Sequence, residues 1–153
     1  MQFRLALAVS LFAGSALAQQ PDFEAEVRTR TCAFAAAIEN GTQALIKEFN
    51  EQAVLFPPNS RENLSRLFEQ QLGSNKLGEV SAYSLGSLPG RFAETMLYHT
   101  PEQVAPIFFR LRYAQTREGA THLVNVEYNT SYEEVAKVQF LAPPTVMECP
   151  EGN

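Results

Sequence analysis

The chain is short of the residues that most often carry chemistry. Its 153 residues include two histidines, two cysteines and a single aspartate, Asp22. A zinc site wants about four donors, and neither histidine stands at a ligand-motif distance from a cysteine, so no metal is implied. Concentrated positive charge is also missing: 12 Lys and Arg face 17 Asp and Glu, for a formal net charge of −5. Nucleic acids and anionic membrane surfaces are poor partners for such a chain, because both demand clustered Lys and Arg. No GxSxG, HExxH, CxxC or glycine-rich phosphate loop occurs, and no cofactor is implied. Nothing in the composition fixes an activity.

What the chain does have is a leader. Arg4 supplies a positive start, Leu5 to Ala13 an apolar run, and Ala16-Leu17-Ala18 a small-x-small site before Gln19. That is the layout of a secretory signal peptide over residues 1–18, cleaved near Ala18, with an apolar run too short for a permanent span. The expected product is an exported domain, periplasmic or secreted, over residues 19–153. Losing Arg4, the one charged residue of the leader, takes the formal net charge from −5 to −6. No later run approaches the ~20 apolar residues of a membrane span, so the mature chain is expected to be soluble. In an oxidising compartment the pair Cys32 and Cys149 reads first as a disulfide, worth roughly 4–5 kcal/mol in the chain-entropy account and able to tether the tail from Ala142-Pro143-Pro144 onward.

Three helices are expected first. Pro21 and Asp22 open the first, Phe23, Val27, Phe34 and Ile38 recur along it at helical spacing, and Asn40-Gly41 closes it. The second runs from Thr42 to Gln52 with Leu45, Ile46 and Phe49 as its stripe. After Pro57-Pro58, Asn59 is expected to cap a third helix with Glu62 in the reciprocal place, Leu64, Leu67, Phe68 and Leu72 as its apolar face, and Gly73 as its stop.

After Gly78 the period changes from helical to alternating. Strands are expected at Glu79 to Leu88, Phe92 to His99, Ile107 to Tyr113 and Thr121 to Asn129, with a last one at Val135 to Leu141. Leu88-Pro89-Gly90-Arg91 suits a type II turn, and Thr100 to Pro106 a loop. A two-residue turn at Glu118-Gly119 sets Phe109 opposite Tyr128, Leu111 opposite Val126, Arg110 opposite Glu127 and Arg112 opposite Asn125. It also places His122, Val124, Val126 and Tyr128 on one face. Helices followed by antiparallel strands give an α+β fold, three N-terminal helices packed on a curved sheet of about four to five strands.

The strand patterns Gly78-Glu79-Val80 through Tyr83, Phe92 to Tyr98, Pro106-Ile107-Phe108-Phe109-Arg110-Leu111 and Leu123-Val124-Asn125-Val126 resemble the sheet of small exported NTF2-like (cystatin-like half-cone) proteins, over roughly residues 21–141. The resemblance implies three helices before a strongly bent sheet, in a superfamily many of whose members have no known function. Enzymes of this fold, such as those similar to ketosteroid isomerases and related cyclases, commonly use an aspartate base inside the cone. Asp22, at the start of the first helix, is badly placed for that, so the chain is expected not to be an enzyme. The catalytic alternative rests on His99, Glu94 or Glu127, and His122 is a further histidine near a strand end.

Two other sites merit naming. Arg110 and Arg112 share one strand face and are able to grip an anion, although a cross-strand pair with Glu127 and Asn125 on a solvated face accounts for them without a ligand. Met96, Tyr98, Phe109, Tyr113 and Tyr128 are expected to line the concavity under the helices, as a filled core or as a pocket for a small apolar molecule. The expected role is therefore binding, of that ligand or of a protein partner at the sheet's outer face. A structural homodimer is the remaining class, since a twin subunit can cover an open sheet.

Overall fold

The computed structural model describes residues 22–73, 78–99, 106–137 and 139–150; the expected leader, residues 1–18, and most of the expected loop Thr100 to Pro106 lie outside them. Helix α1 (Phe23–Glu39) starts where the Asp22 carboxylate accepts the Glu24 amide at 3.2 Å, answering one of the orphan donors of a first turn. Its expected stripe of Phe23, Val27, Phe34 and Ile38 is buried, and it ends where the Asn40 side chain donates to the Ala36 carbonyl at 2.8 Å. Helix α2 spans Thr42–Gln52 and buries Leu45 and Phe49. Helix α3 spans Pro58–Leu72 and buries Phe68 and Leu72, while Leu67 stays 40% exposed. Asn59 is not its cap: Pro57 holds that position and Pro58 is the first helical residue, where a missing N–H costs nothing. The Asn59 side chain instead accepts from the neighbouring Ser60 amide at 2.9 Å.

The sheet is antiparallel, with strands β1 (Val80–Leu88), β2 (Phe92–His99), β3 (Ile107–Gln115), β4 (Thr121–Asn129) and β5 (Thr145–Met147) in the order β4-β3-β2-β1-β5. The three long helices cover one face. There Phe34, Phe49, Phe68, Phe109 and Tyr113 are all fully buried, with Phe49–Phe68 and Phe68–Phe109 ring centroids 5.6 and 6.2 Å apart. The fold is the expected α+β arrangement of helices on a sheet.

Two expectations about the chain after β3 need correction. The β3–β4 connection is not a two-residue turn. Thr116 donates to the Ala120 carbonyl at 2.8 Å, Gly119 to that of Thr116 at 3.1 Å, and Gly119 sits at φ 87°, so residues 117–119 form a longer loop. A longer loop shifts the pairing by one, yet the four expected pairs are all present. The reason is a bulge: Arg112 pairs with Asn125 and Tyr113 with Leu123, which leaves Val124 over and restores the register beyond it. The bulge also reverses the faces on the turn side. Thr121 and Leu123 are buried there, His122 is half-buried and Val124 exposed, so His122 and Val124 do not share a face with Val126 and Tyr128.

The second correction concerns the end of the chain. Val135 to Leu141 is not a strand. Residues Tyr132–Ala136 make a short helix, α4, and the following segment crosses the sheet without joining the ladder. Pairing resumes at β5, in the tail, against Ala82 to Ser84 of β1. Among the described residues there, Val135 is buried, Phe140 half-buried, and Gln139 and Leu141 exposed, the mark of a strap laid on the sheet. Gly86 makes room for this strap. It follows a bulge at Leu85, has φ 106°, and a Cβ there would lie 2.9 Å from that of Ala142.

Candidate functional site

Alternation along β2 and β3 sends Glu94, Met96 and Tyr98, and Phe108, Arg110 and Arg112, to the face away from the long helices. A charge cluster forms there that the sequence does not announce. Arg110, expected on a solvated face, is 0% exposed. Its Nη2 donates to both oxygens of Glu94, at 2.8 and 2.9 Å, and not to Glu127. Its Nη1 donates to the Val135 carbonyl at 3.1 Å, and its guanidinium lies 4.8 Å over the ring of Phe140. Arg112 takes the neighbouring positions: Nε to Glu94 at 2.8 Å, Nη1 to Glu127 at 2.7 Å and to the side-chain Oδ1 of Asn125 at 3.2 Å. Two carboxylates and two guanidiniums sum to zero. The strap covers the Glu94–Arg110 end of the cluster, and the Glu127 end stays partly open.

Burial is the largest influence on the Glu94 carboxyl and pushes its pKa up. The hydrogen bonds and charges of Arg112 and Arg110 together outweigh it and leave the group below its ordinary range. A carboxylate held in this way is a poor proton acceptor at neutral pH. Glu127 is more open, with 37% of its side chain exposed.

His99 is fully buried on the opposite face of β2, where Nδ1 lies 3.2 Å from the Glu79 carbonyl. Its Nε2 has no hydrogen-bond partner among the described residues. It stands five positions after Glu94 on the same strand, an odd offset, so the two point away from each other. His122 sits beyond the Val124 bulge, half-buried, on another strand.

The five residues expected to line one pocket are divided. Phe109 and Tyr113 are wholly buried under the helices, and the Tyr113 hydroxyl donates to Gln52 at 3.2 Å; burial pushes its phenol pKa well up. Tyr128 packs there against Phe68 and Phe109, its phenol pKa also raised by burial. Met96 and Tyr98 belong to the outer face. Phe34, Phe49 and Phe68 occupy the space between, so the expected concavity is packed with side chains at these positions.

The disulfide Cys32–Cys149 is present, joining α1 to the tail. It stands beside a surface cleft of about 700 Å³ between α1, β1 and β5, lined in part by Ala36, Val80, Tyr83, Met147 and Cys149. One surface went unread in the sequence. Tyr98 and Phe108 have ring centroids 5.0 Å apart, Phe108 and Tyr132 5.6 Å, and Tyr132 and Phe140 6.2 Å, a row of half-exposed rings on the outer face. The signal available was parity, since Tyr98 and Phe108 occupy strand positions out of phase with the core. Among the described residues there is no group of three or more His, Cys, Asp or Glu able to hold a metal, and no helix long and apolar enough to cross a membrane. Compared with protein families, curated proteins and solved structures, the chain matches none.

Proposed function

We propose that this is an exported, disulfide-fastened domain that acts by binding a protein partner through the outer face of its sheet. The observation that carries the reading is the row Tyr98, Phe108, Tyr132 and Phe140, aromatic rings left half-exposed or more beside a charge cluster with no net charge. Flat, rigid rings gather much contact area at small entropic cost, and a patch of them on a surface is a recurrent mark of a protein interface. The disulfide supports export, since such bonds persist in oxidising compartments. The order of helices and strands supports the resemblance to NTF2-like proteins. The isomerase-like or cyclase-like alternative draws little support from a Glu94 tied to two arginines and a His99 facing the other way.

A photo-crosslinking residue placed at Tyr132 in the exporting cells tests the proposal. The expected result is a discrete adduct, with none from the same residue placed at exposed Leu55, on the helix side of the chain. An adduct at twice the chain mass assigns the surface to a second copy; no adduct at 132, 98 or 108 overturns the proposal.

A further inference from the structure

The C-terminal segment is fastened at two places by unrelated chemistry. Its inner part lies on the outer face of the sheet. Arg110 donates to the carbonyls of Val135 and Gln139 at 3.1 and 3.4 Å and stacks on Phe140, and the Ala142 amide donates to the Leu85 carbonyl at 2.7 Å. Its outer part is β5, three residues long, with Val146 76% exposed. A strand so short, with Thr145 and Val146 in water and only Met147 packed against the core, holds little by itself. What keeps it is the bond from Cys149 to Cys32, both of them half-exposed. Between the two parts stand Pro143 and Pro144, which have no N–H to carry a hydrogen-bonded ladder across.

From this arrangement we propose that the segment releases in two separable stages, and that reduction of Cys32–Cys149 frees β5 while the inner strap stays in place. The reductant is a dithiol. One of its thiolates attacks a sulfur of the pair and expels the other cysteine as a thiolate, which takes up a proton. Its second thiolate then closes the dithiol to a disulfide, and two electrons and two protons end on Cys32 and Cys149 as thiols. The change is local: β5 leaves Ala82 to Ser84, and the cleft beside α1 gains a free sheet edge. That edge fits an extended backbone, β5 itself included, so the stage is reversible on reoxidation. The outer aromatic row is untouched, and the inference does not depend on what that row contacts.

Hydrogen-exchange mass spectrometry on the mature protein, oxidised and in excess dithiothreitol at one pH, tests this. Reduction should speed exchange at least tenfold in a peptide covering 145–150 and in one covering 82–84, and leave a peptide covering 139–142 within twofold. The Cys32→Ser/Cys149→Ser variant should reproduce the pattern without reductant. In the oxidised protein, Arg110→Gln should speed 139–142 and spare 145–150; if that variant does not fold, Phe140→Ala serves with the ion pair intact. Opening of 139–142 together with 145–150 on reduction, protection of β5 after complete reduction, or unfolding of the whole chain would each overturn the inference.

Discussion

Both faces of the sheet have a dry centre, and the two centres are made dry by opposite means. Under the helices, Phe34, Phe49, Phe68 and Leu111 exclude water with hydrocarbon, which needs no particular partner and tolerates small shifts. On the outer face, Glu94 and Arg110 are buried to the same degree, yet a charge is acceptable there only beside its partners, Glu94 for Arg110, and Arg110 with Arg112 for Glu94. Such a pair contributes little net stability over an apolar substitute, but removing one member leaves a bare charge in a poor solvent. The helix face thus tells how strongly this chain folds. The outer face tells where one segment must lie, because two of the Arg110 acceptors are strap carbonyls.

Arg110→Ala should show the largest effect, a loss of about 3–5 kcal/mol in urea unfolding, because buried Glu94 loses two of its hydrogen bonds and keeps only Arg112. The double replacement Glu94→Leu/Arg110→Met should recover most of that loss, and no recovery would mean that the cost lies in lost packing, as on the helix face. Leu111→Ala, on the helix face, should cost roughly 2–5 kcal/mol as a cavity, with no partner able to rescue it. Gly86→Ala should cost about 1–3 kcal/mol, by strain at φ 106° within β1 and by pressing on Ala142 and Leu141 of the strap.

Acid provides a finer separation. Glu94 titrates lower in the folded chain than unfolded, so its contribution is whole above the ordinary carboxylate range and is lost as pH falls through its lowered value. Glu94→Gln should therefore flatten the acid limb of a stability–pH curve, whereas Leu111→Ala should shift the curve without changing its shape. Least of all, Glu127→Ala should cost no more than about 1 kcal/mol, since its bridge to Arg112 is open to water.

The helices and four strands were legible because apolar spacing reports which side of an element is buried, and Phe23, Val27, Phe109 and Leu111 obey it. The pairing of Phe109 with Tyr128 was read correctly through a wrong turn, because the longer loop and the Val124 bulge cancel in parity. Parity places Arg110 opposite Glu127 but says nothing of what lies over that face. The strap that buries it comes from residues far along the chain, whose own alternation looks like a strand. The tail strand was illegible for the same reason: Thr145 to Met147 is extended because β1 and Cys32 hold it there, and its sequence has no strand pattern of its own.

The bulge at Val124 has one more consequence. Among the described residues β4 is the last strand on its side, and a long flat border is where sheets from separate molecules fuse into insoluble stacks. Val124 breaks that border into two short runs that an incoming chain is unable to follow in a single register. The opposite border ends in three residues tied down by a covalent bond. A domain with both borders blunted in this way offers a neighbouring copy no long edge to template on.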